Sequence, residues 1–360
     1  MPNPELFDSI QIRDVEARNR LWVAPMCQYS VDLRDGVPTD WHLVHLGAFA
    51  VGGAGVVMTE ATAVSAEGRI SPEDTGIWND EQVAAWLPVT RFIREHGAVP
   101  AIQLAHAGRK ASTFKPWATE HGTVPPEHGG WQAVAPSAIA FDGYAVPVAL
   151  DAEGIAHVVD DFVASALRSI EAGFEILEIH AAHGYLLHEF LSPLTNLRDD
   201  QYGGDLAGRA RLLLEIVKAV RGAVGESVPL LVRFSATDWA EGGWDQEQTA
   251  TVAGWARDAG ADMFDISTGG LVGGVTIPVA PGYQVDFASF VGAEADVVVS
   301  AVGLITEAQH AAQIVSSGAA DVVMLGREFL RDPHFPLRAA HELGVSIDYF
   351  PAQYIRAGYR

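Results

Sequence analysis

Residues 21–29 read Leu-Trp-Val-Ala-Pro-Met-Cys-Gln-Tyr. The apolar run Leu21 to Pro25 has strand character, and it passes straight into Met26, Cys27, Gln28 and Tyr29. A doubly wound nucleotide-binding sheet carries a GxGxxG turn at this place, where the glycines let backbone amides approach a pyrophosphate. No such turn follows Leu21 to Pro25, so the stretch points to the other large architecture made of parallel strands.

The same pattern recurs downstream. Apolar or β-branched runs at Val56 to Ala61, Pro100 to Leu104, Phe174 to Ile179, Pro229 to Phe234, Met263 to Ser267, Asp296 to Ser300 and Asp321 to Leu325 give way to turns and longer amphipathic segments. With Leu21 to Pro25 they make eight strands. Helices are predicted at Asp80 to Glu95, Gly154 to Ala172, Arg209 to Ala223, Gln246 to Asp258 and Glu307 to Ser317. Trp41, His42 and His45 lie on a further helix, where packing roles suit both histidines. Strands too apolar to alternate belong to a parallel sheet covered by helices, and eight of them close a barrel. The expected fold is therefore α/β, a (β/α)8 TIM barrel forming one domain over residues 1–360. The segment Gly108 to Gly154 is too long for an ordinary connection and is expected as an excursion loop over the C-terminal mouth.

Composition narrows the function. The 360 residues carry 23 basic and 46 acidic side chains, a formal net charge of -23 that would repel a nucleic-acid backbone. One cysteine excludes an internal disulfide or a cysteine metal cluster and fits a reduced, cytoplasmic setting. The opening MPNPELFDSIQIRDVEARNR lacks the basic segment and apolar run of a secretory signal. No apolar stretch approaches the roughly 20 residues that cross a bilayer, so no membrane association is expected.

A barrel of this kind builds its active site from the C-terminal strand ends. Those ends carry Cys27 and Tyr29, Glu60 and Ala61, Gln103 with His106, Arg109 and Lys110, then His180, His183 and Tyr185, Arg233, Gly303, and Gly326 with Arg327. His180 and His183 are three apart, a spacing that brings both rings together if the strand exit turns at once into helix. Three readings stay open for the pair: a metal site, structural histidines, or a clamp for a carbonyl or oxyanion with Tyr185 as proton donor. Inward-pointing Arg233 needs an anionic or acceptor partner, and an ion pair within the protein would serve. Gly303, Gly326 and Arg327 occupy the usual phosphate-binding position of the fold. Cys27 can be a buried filler, a nucleophile or a cofactor contact.

Four stretches together, APMCQYS (24–30), QLAHAGRKA (103–111), EIHAAHGYLLHEFLSPLTNLRDDQYGG (178–204) and LGREFLRDP (325–333), closely resemble the flavin-dependent Old Yellow Enzyme family. The likeness runs through nearly the whole chain and points to the bacterial branch of YqjM-like ene-reductases and xenobiotic reductases. It implies non-covalent FMN, reduced by NADPH or NADH, and reduction of activated alkenes or nitro compounds. By position it assigns Pro25, Met26, Cys27, Ala61 and Gln103 to the flavin ring and Arg233 to its polar edge. It assigns Gly303, Gly326 and Arg327 to the phosphate, His180 and His183 to the substrate carbonyl or nitro oxygen, and Tyr185 to proton donation. Tyr29 and Lys110 become substrate-side contacts, and Cys27 a modulator of the flavin and not a covalent nucleophile. The C-terminal FPAQYIRAGYR resembles a tail that enters a neighbouring subunit's site through Arg356, implying a homodimer or homotetramer. Some xenobiotic reductases carry tryptophan where this chain has Val302. With one cysteine and an end at Arg360, neither the iron–sulfur site nor the second nucleotide-binding domain of the larger relatives is expected. A barrel oxidase of another substrate class and a non-catalytic binding barrel are the competing functions.

Overall fold

In the computed structural model, which describes residues 5–358, eight parallel strands close into a barrel. They are β1 (Leu21–Val23), β2 (Val56–Ala63), β3 (Val99–Ala105), β4 (Ile176–Ala181), β5 (Leu230–Ser235), β6 (Met263–Ser267), β7 (Val298–Ala301) and β8 (Val322–Leu325). Closure is made where Val323, Met324 and Leu325 of β8 pair with Leu21, Trp22 and Val23 of β1. Nearly every strand residue is buried, as expected of strands covered on both faces.

Two apolar layers result. Between strands and helices lie Phe49, Trp86, Phe162, Phe174, Phe234 and Phe264. Inside the barrel's lower half, Trp22, Met58, Leu231, Met263 and Met324 pack together, and a hairpin of Ile10–Ile12 and Val15–Ala17 closes that end with Ile10, Ile12 and Ala17. The apolar filling leaves the upper half to polar side chains.

Several boundaries differ from expectation for local reasons. β1 stops at Val23, because the Ala24 amide still reaches the Leu325 carbonyl but Pro25 has no amide to continue the ladder. The pairing of β2 with β3 shifts register between Met58 and Ala61 before β2 runs on to Ala63. β4 begins two residues later than the apolar run and extends through His180 to Ala181. β7 starts at Val298 since Asp296, with φ of 52°, caps the preceding helix. That helix, Val285–Ala295, and another at Phe335–Glu342 complete the outer layer. The excursion holds only short turns and the two-residue strands Val134–Ala135 and Val148–Ala149. No helix among the described residues is long and apolar enough to cross a membrane.

Asp262, just before β6, ties the closed end together. Its Oδ1 accepts from Arg13 Nε at 2.5 Å, and its Oδ2 from Arg221 Nη2 at 2.6 Å and the Leu230 amide at 2.8 Å. Asp262→Ala leaves a largely buried guanidinium and a strand amide without their acceptor. Urea unfolding is expected to show a loss of about 3 kcal/mol.

Candidate active site

His180 belongs to β4 itself, paired in register with Arg233 of β5. After Ala181 the chain does not enter a helix. His183 and Gly184 take left-handed conformations, with φ of 59° and 73°, and the helix Leu186–Leu191 starts only after Tyr185. The expected helical spacing is thus corrected: a left-handed pair, not a helical turn, folds the chain back. It sets the two imidazole centres 5.3 Å apart and the Tyr185 ring 5.1 Å from His180.

A non-glycine residue in this conformation costs about 1–2 kcal/mol, which the surroundings must offset. The His183 amide donates to Ser235 Oγ at 2.9 Å, and Lys110 Nζ donates to the His183 carbonyl at 2.9 Å and to the Gly270 carbonyl. Gly184 packs on the backbone of Gly270 and Leu271, where any β-carbon would collide.

A backbone hydrogen bond assigns the His180 ring proton. His180 Nδ1 accepts from the Ala182 amide at 3.3 Å, which puts its proton on Nε2. His183 Nε2 lies 2.8 Å from Ser267 Oγ, while Thr268 already donates to Gln284 Oε1 at 2.7 Å. Ser267 Oγ also donates to Gln284 Oε1 at 3.3 Å, so the hydroxyl serves His183 Nε2 as donor or acceptor according to the His183 tautomer. Burial, reinforced by the Arg233 charge, holds both imidazoles neutral by lowering their pKa well below the ordinary value. The His180 ring retains an Nε2–H that no described residue uses.

Tyr185, Tyr29 and Cys27 pack beside Ala61. Burial raises the pKa of both phenols, so they stay protonated. Burial and the carboxylates of Asp74 and Glu60 also push the Cys27 thiol up, which disfavours the thiolate a nucleophile needs. The loop bearing Cys27 is held from below: Glu60 Oε2 accepts the Gln28 amide at 2.8 Å, and Glu60 Oε1 lies 3.1 Å from His42 Nε2. His42 is therefore structural, as expected, in direct support of the site. Above it the excursion roofs a cavity of about 350 Å³ lined by Tyr29, Lys110, Phe141, Tyr144 and Tyr185. Burial lowers the Lys110 pKa to about 8.

Beneath the histidines runs a buried polar layer. Gln103 Nε2 donates to Glu178 Oε1 at 2.7 Å, and Ser300 Oγ donates to Asp265 Oδ1 at 2.9 Å. Arg233 is ion-paired, its Nε 2.9 Å from Asp265 Oδ2. Its terminal amino groups make no hydrogen bond with any described residue, although the side chain is only 6% exposed. A buried guanidinium with open donors fits an acceptor-rich ring edge such as that of a flavin. Farther along the rim, a cleft of about 170 Å³ is lined by Gly303, Gly326 and Arg327 together with Gln284, Thr306 and Arg331. Arg327 is exposed and has no ion-pair partner among the described residues, as suits an anion-binding residue. Met26 lies against Gly326, linking this cleft to the Cys27 loop. Arg356 stands apart, exposed in the turn Ala352–Ala357.

Sequence reasoning missed Ser267, Gln284 and Arg331. Ser267 and Gln284 are distant in sequence from His183, and only barrel closure joins them; Arg331 lies one turn beyond Arg327, visible in the LGREFLRDP stretch but unmarked by spacing.

A barrel with open donors beneath a neutral imidazole pair, and an arginine-lined cleft alongside, fits the class of flavin-dependent oxidoreductases. The chain belongs to the NADH:flavin oxidoreductase / NADH oxidase family, whose model matches residues 5–345. It is 47% identical over 354 residues to an NADPH dehydrogenase of Listeria monocytogenes, covering 98% of this chain and 99% of that one. Among solved structures, the old yellow enzyme homologue from Zymomonas mobilis matches at TM-score 0.78 and 30% identity, covering 96% of this chain and 95% of the other. A 2-naphthoyl-CoA reductase matches at TM-score 0.86 and 25% identity over 95% of this chain, which spans 52% of that larger protein. The protein is an NAD(P)H-dependent, FMN-binding oxidoreductase of the Old Yellow Enzyme family.

Glu189, on the helix after Tyr185, is buried beside these cations; its Oε1 accepts the Arg109 amide at 2.9 Å and its Oε2 has no partner. Burial pushes its pKa up to about 8, against the pull of Arg109 and Lys110. A carboxyl raised on folding contributes its stability below its unfolded pKa and loses it as pH climbs through the folded value. Glu189→Gln is therefore expected to leave stability little changed near pH 4.5 and to gain over the parent up to about pH 8. Urea midpoints at several pH values check the widening gap.

Proposed function

We propose that the protein is an ene-reductase acting on α,β-unsaturated carbonyl or nitro compounds. The observation that carries this reading is the meeting of two neutral imidazoles and an un-ionised phenol at the rim, with ring centres within 5.3 Å of one another along His183, His180 and Tyr185. Bound FMN, reduced by NAD(P)H, supplies the hydride. His180, through its free Nε2–H, and His183 hold the carbonyl or nitro oxygen and draw electron density from the conjugated double bond. The β-carbon becomes the better hydride acceptor. Tyr185 then delivers its phenolic proton to the α-carbon, a role its raised pKa supports by keeping that proton in place.

Pro25, Met26, Cys27, Ala61, Gln103 and Arg233 would hold the flavin ring, and Gly303, Gly326 and Arg327 its phosphate. Tyr29 and Lys110 face the substrate, and Cys27 tunes flavin and ligand as a neutral thiol. The exposed Arg356, with Ile355 75% exposed beside it, supports a tail that enters a neighbouring copy's cavity in a cytoplasmic homo-oligomer. An oxidase of hydroxy acids would need a histidine basic enough to take up the substrate's proton, whereas burial and the Arg233 charge lower the pKa of both imidazoles.

The FMN-loaded protein is expected to be yellow, bleached anaerobically by NADPH and restored by 2-cyclohexenone. A folded preparation that takes up no FMN overturns the reading. Replacing both His180 and His183 by Ala should weaken phenol binding and slow enone reduction while flavin stays bound. Tyr185→Phe should slow reoxidation by enones about 100-fold, and stopped-flow traces with unchanged rates would remove the residue from its role.

A further inference from the structure

The left-handed turn at His183 and Gly184 is braced from behind by residues that touch neither cavity nor cleft. The Gly184 amide donates to His188 Nδ1 at 2.9 Å. That bond fixes the His188 tautomer, leaving the ring proton on Nε2, which lies 2.9 Å from Asp238 Oδ1. Asp238 Oδ2 in turn accepts from Ser192 Oγ at 2.6 Å and from the Trp244 amide at 2.8 Å. His188 and Asp238 are both fully buried, so no substrate reaches them.

We propose that the His188–Asp238 pair is the positioning device of the substrate clamp, acting through the Gly184 amide on the orientation of His183 and Tyr185. This inference rests on the clamp reading given above. The geometry leaves Gly184 few alternatives. Its left-handed conformation turns its amide away from any helical acceptor, and the backbone of Gly270 and Leu271 closes the other side. Removing the Nδ1 acceptor would strand a buried amide, which can recover a partner only by rotating the peptide that joins His183 to Gly184. Such a rotation moves the imidazole at one end and the phenol at the other. Asp238 keeps the acceptor nitrogen aimed: burial opposes its charge, but the His188 ring, the Ser192 hydroxyl and the Trp244 amide together hold the carboxyl below its ordinary pKa. The imidazole therefore faces a permanent anion on one edge and presents a lone pair to Gly184 on the other.

The test uses the FMN-loaded protein and reads the dissociation constant of 4-hydroxybenzaldehyde by titrating the flavin absorbance. His188→Leu should bind the phenol about tenfold more weakly while retaining stoichiometric FMN. His188→Asn places an amide oxygen where Nδ1 stood and should recover most of the affinity. Asp238→Asn, which leaves the imidazole in place but removes the anion that orients it, should weaken phenol binding to an intermediate degree. It carries the test should His188→Leu fail to fold. Equal phenol affinity in the folded variants, or parallel loss of phenol and FMN, overturns the positioning role. Phenol binding that also ignores His180→Ala and His183→Ala overturns the clamp itself, whereas sensitivity to those two but not to His188 or Asp238 sinks the present inference alone.

Discussion

Everything described here depends on one seam, the pairing of β8 with β1. Three residues on each side, Val323 to Leu325 against Leu21 to Val23, turn an open sheet into a ring. Without that closure Met26 would not meet Gly326, nor would the Cys27 loop share a rim with the cleft of Arg327. The seam is apolar, short and fully paired, and the polar chemistry is deferred to the first residues beyond it. An edge strand would have exposed unpaired backbone groups at this point; the ring has none there.

The barrel's interior divides by height. Methionines and Trp22 fill the lower half, and the upper half carries Gln103, Glu178, Arg233, Asp265 and Ser300. Burying so many polar groups is costly unless each finds a partner, and most do so with the neighbouring strand. Arg233 on its terminal nitrogens and Glu178 on its Oε2 are exceptions, and burial together with the neighbouring Asp265 raises the Glu178 pKa against the pull of Arg233. The layer is thus left with donor capacity directed at one place, the position that a flavin's electron-rich edge would take.

Much of this architecture is legible in the sequence. The eight runs were visible because parallel strands buried on both faces are uniformly apolar, and the site because polar residues crowd the positions just after them. Boundaries shifted where a backbone detail intervened, such as the missing amide of Pro25 or the left-handed Asp296. The helix Val285–Ala295 is not legible, since its residues are apolar around most of the circumference and show little periodicity. The left-handed His183 left no mark on the sequence except the glycine that follows it. Ser267 and Asp238 lie 84 and 50 residues from the side chains they orient, a separation that only the folded ring removes. Residue type and spacing announce groups that meet a ligand; they are silent about groups that hold those groups still.

The close approach of Gly184 to Gly270 joins two loops that have no covalent reason to move together. With Lys110 fastened to carbonyls on both, the loop after β4 and the loop after β6 form one stiff unit. A ligand entering here finds its hydrogen-bond donors already ordered, so little conformational entropy is lost on binding. Affinity across a ligand series should then follow the basicity of the oxygen offered to the imidazoles, and binding should be driven mainly by enthalpy, with a heat-capacity change set by the apolar area covered alone.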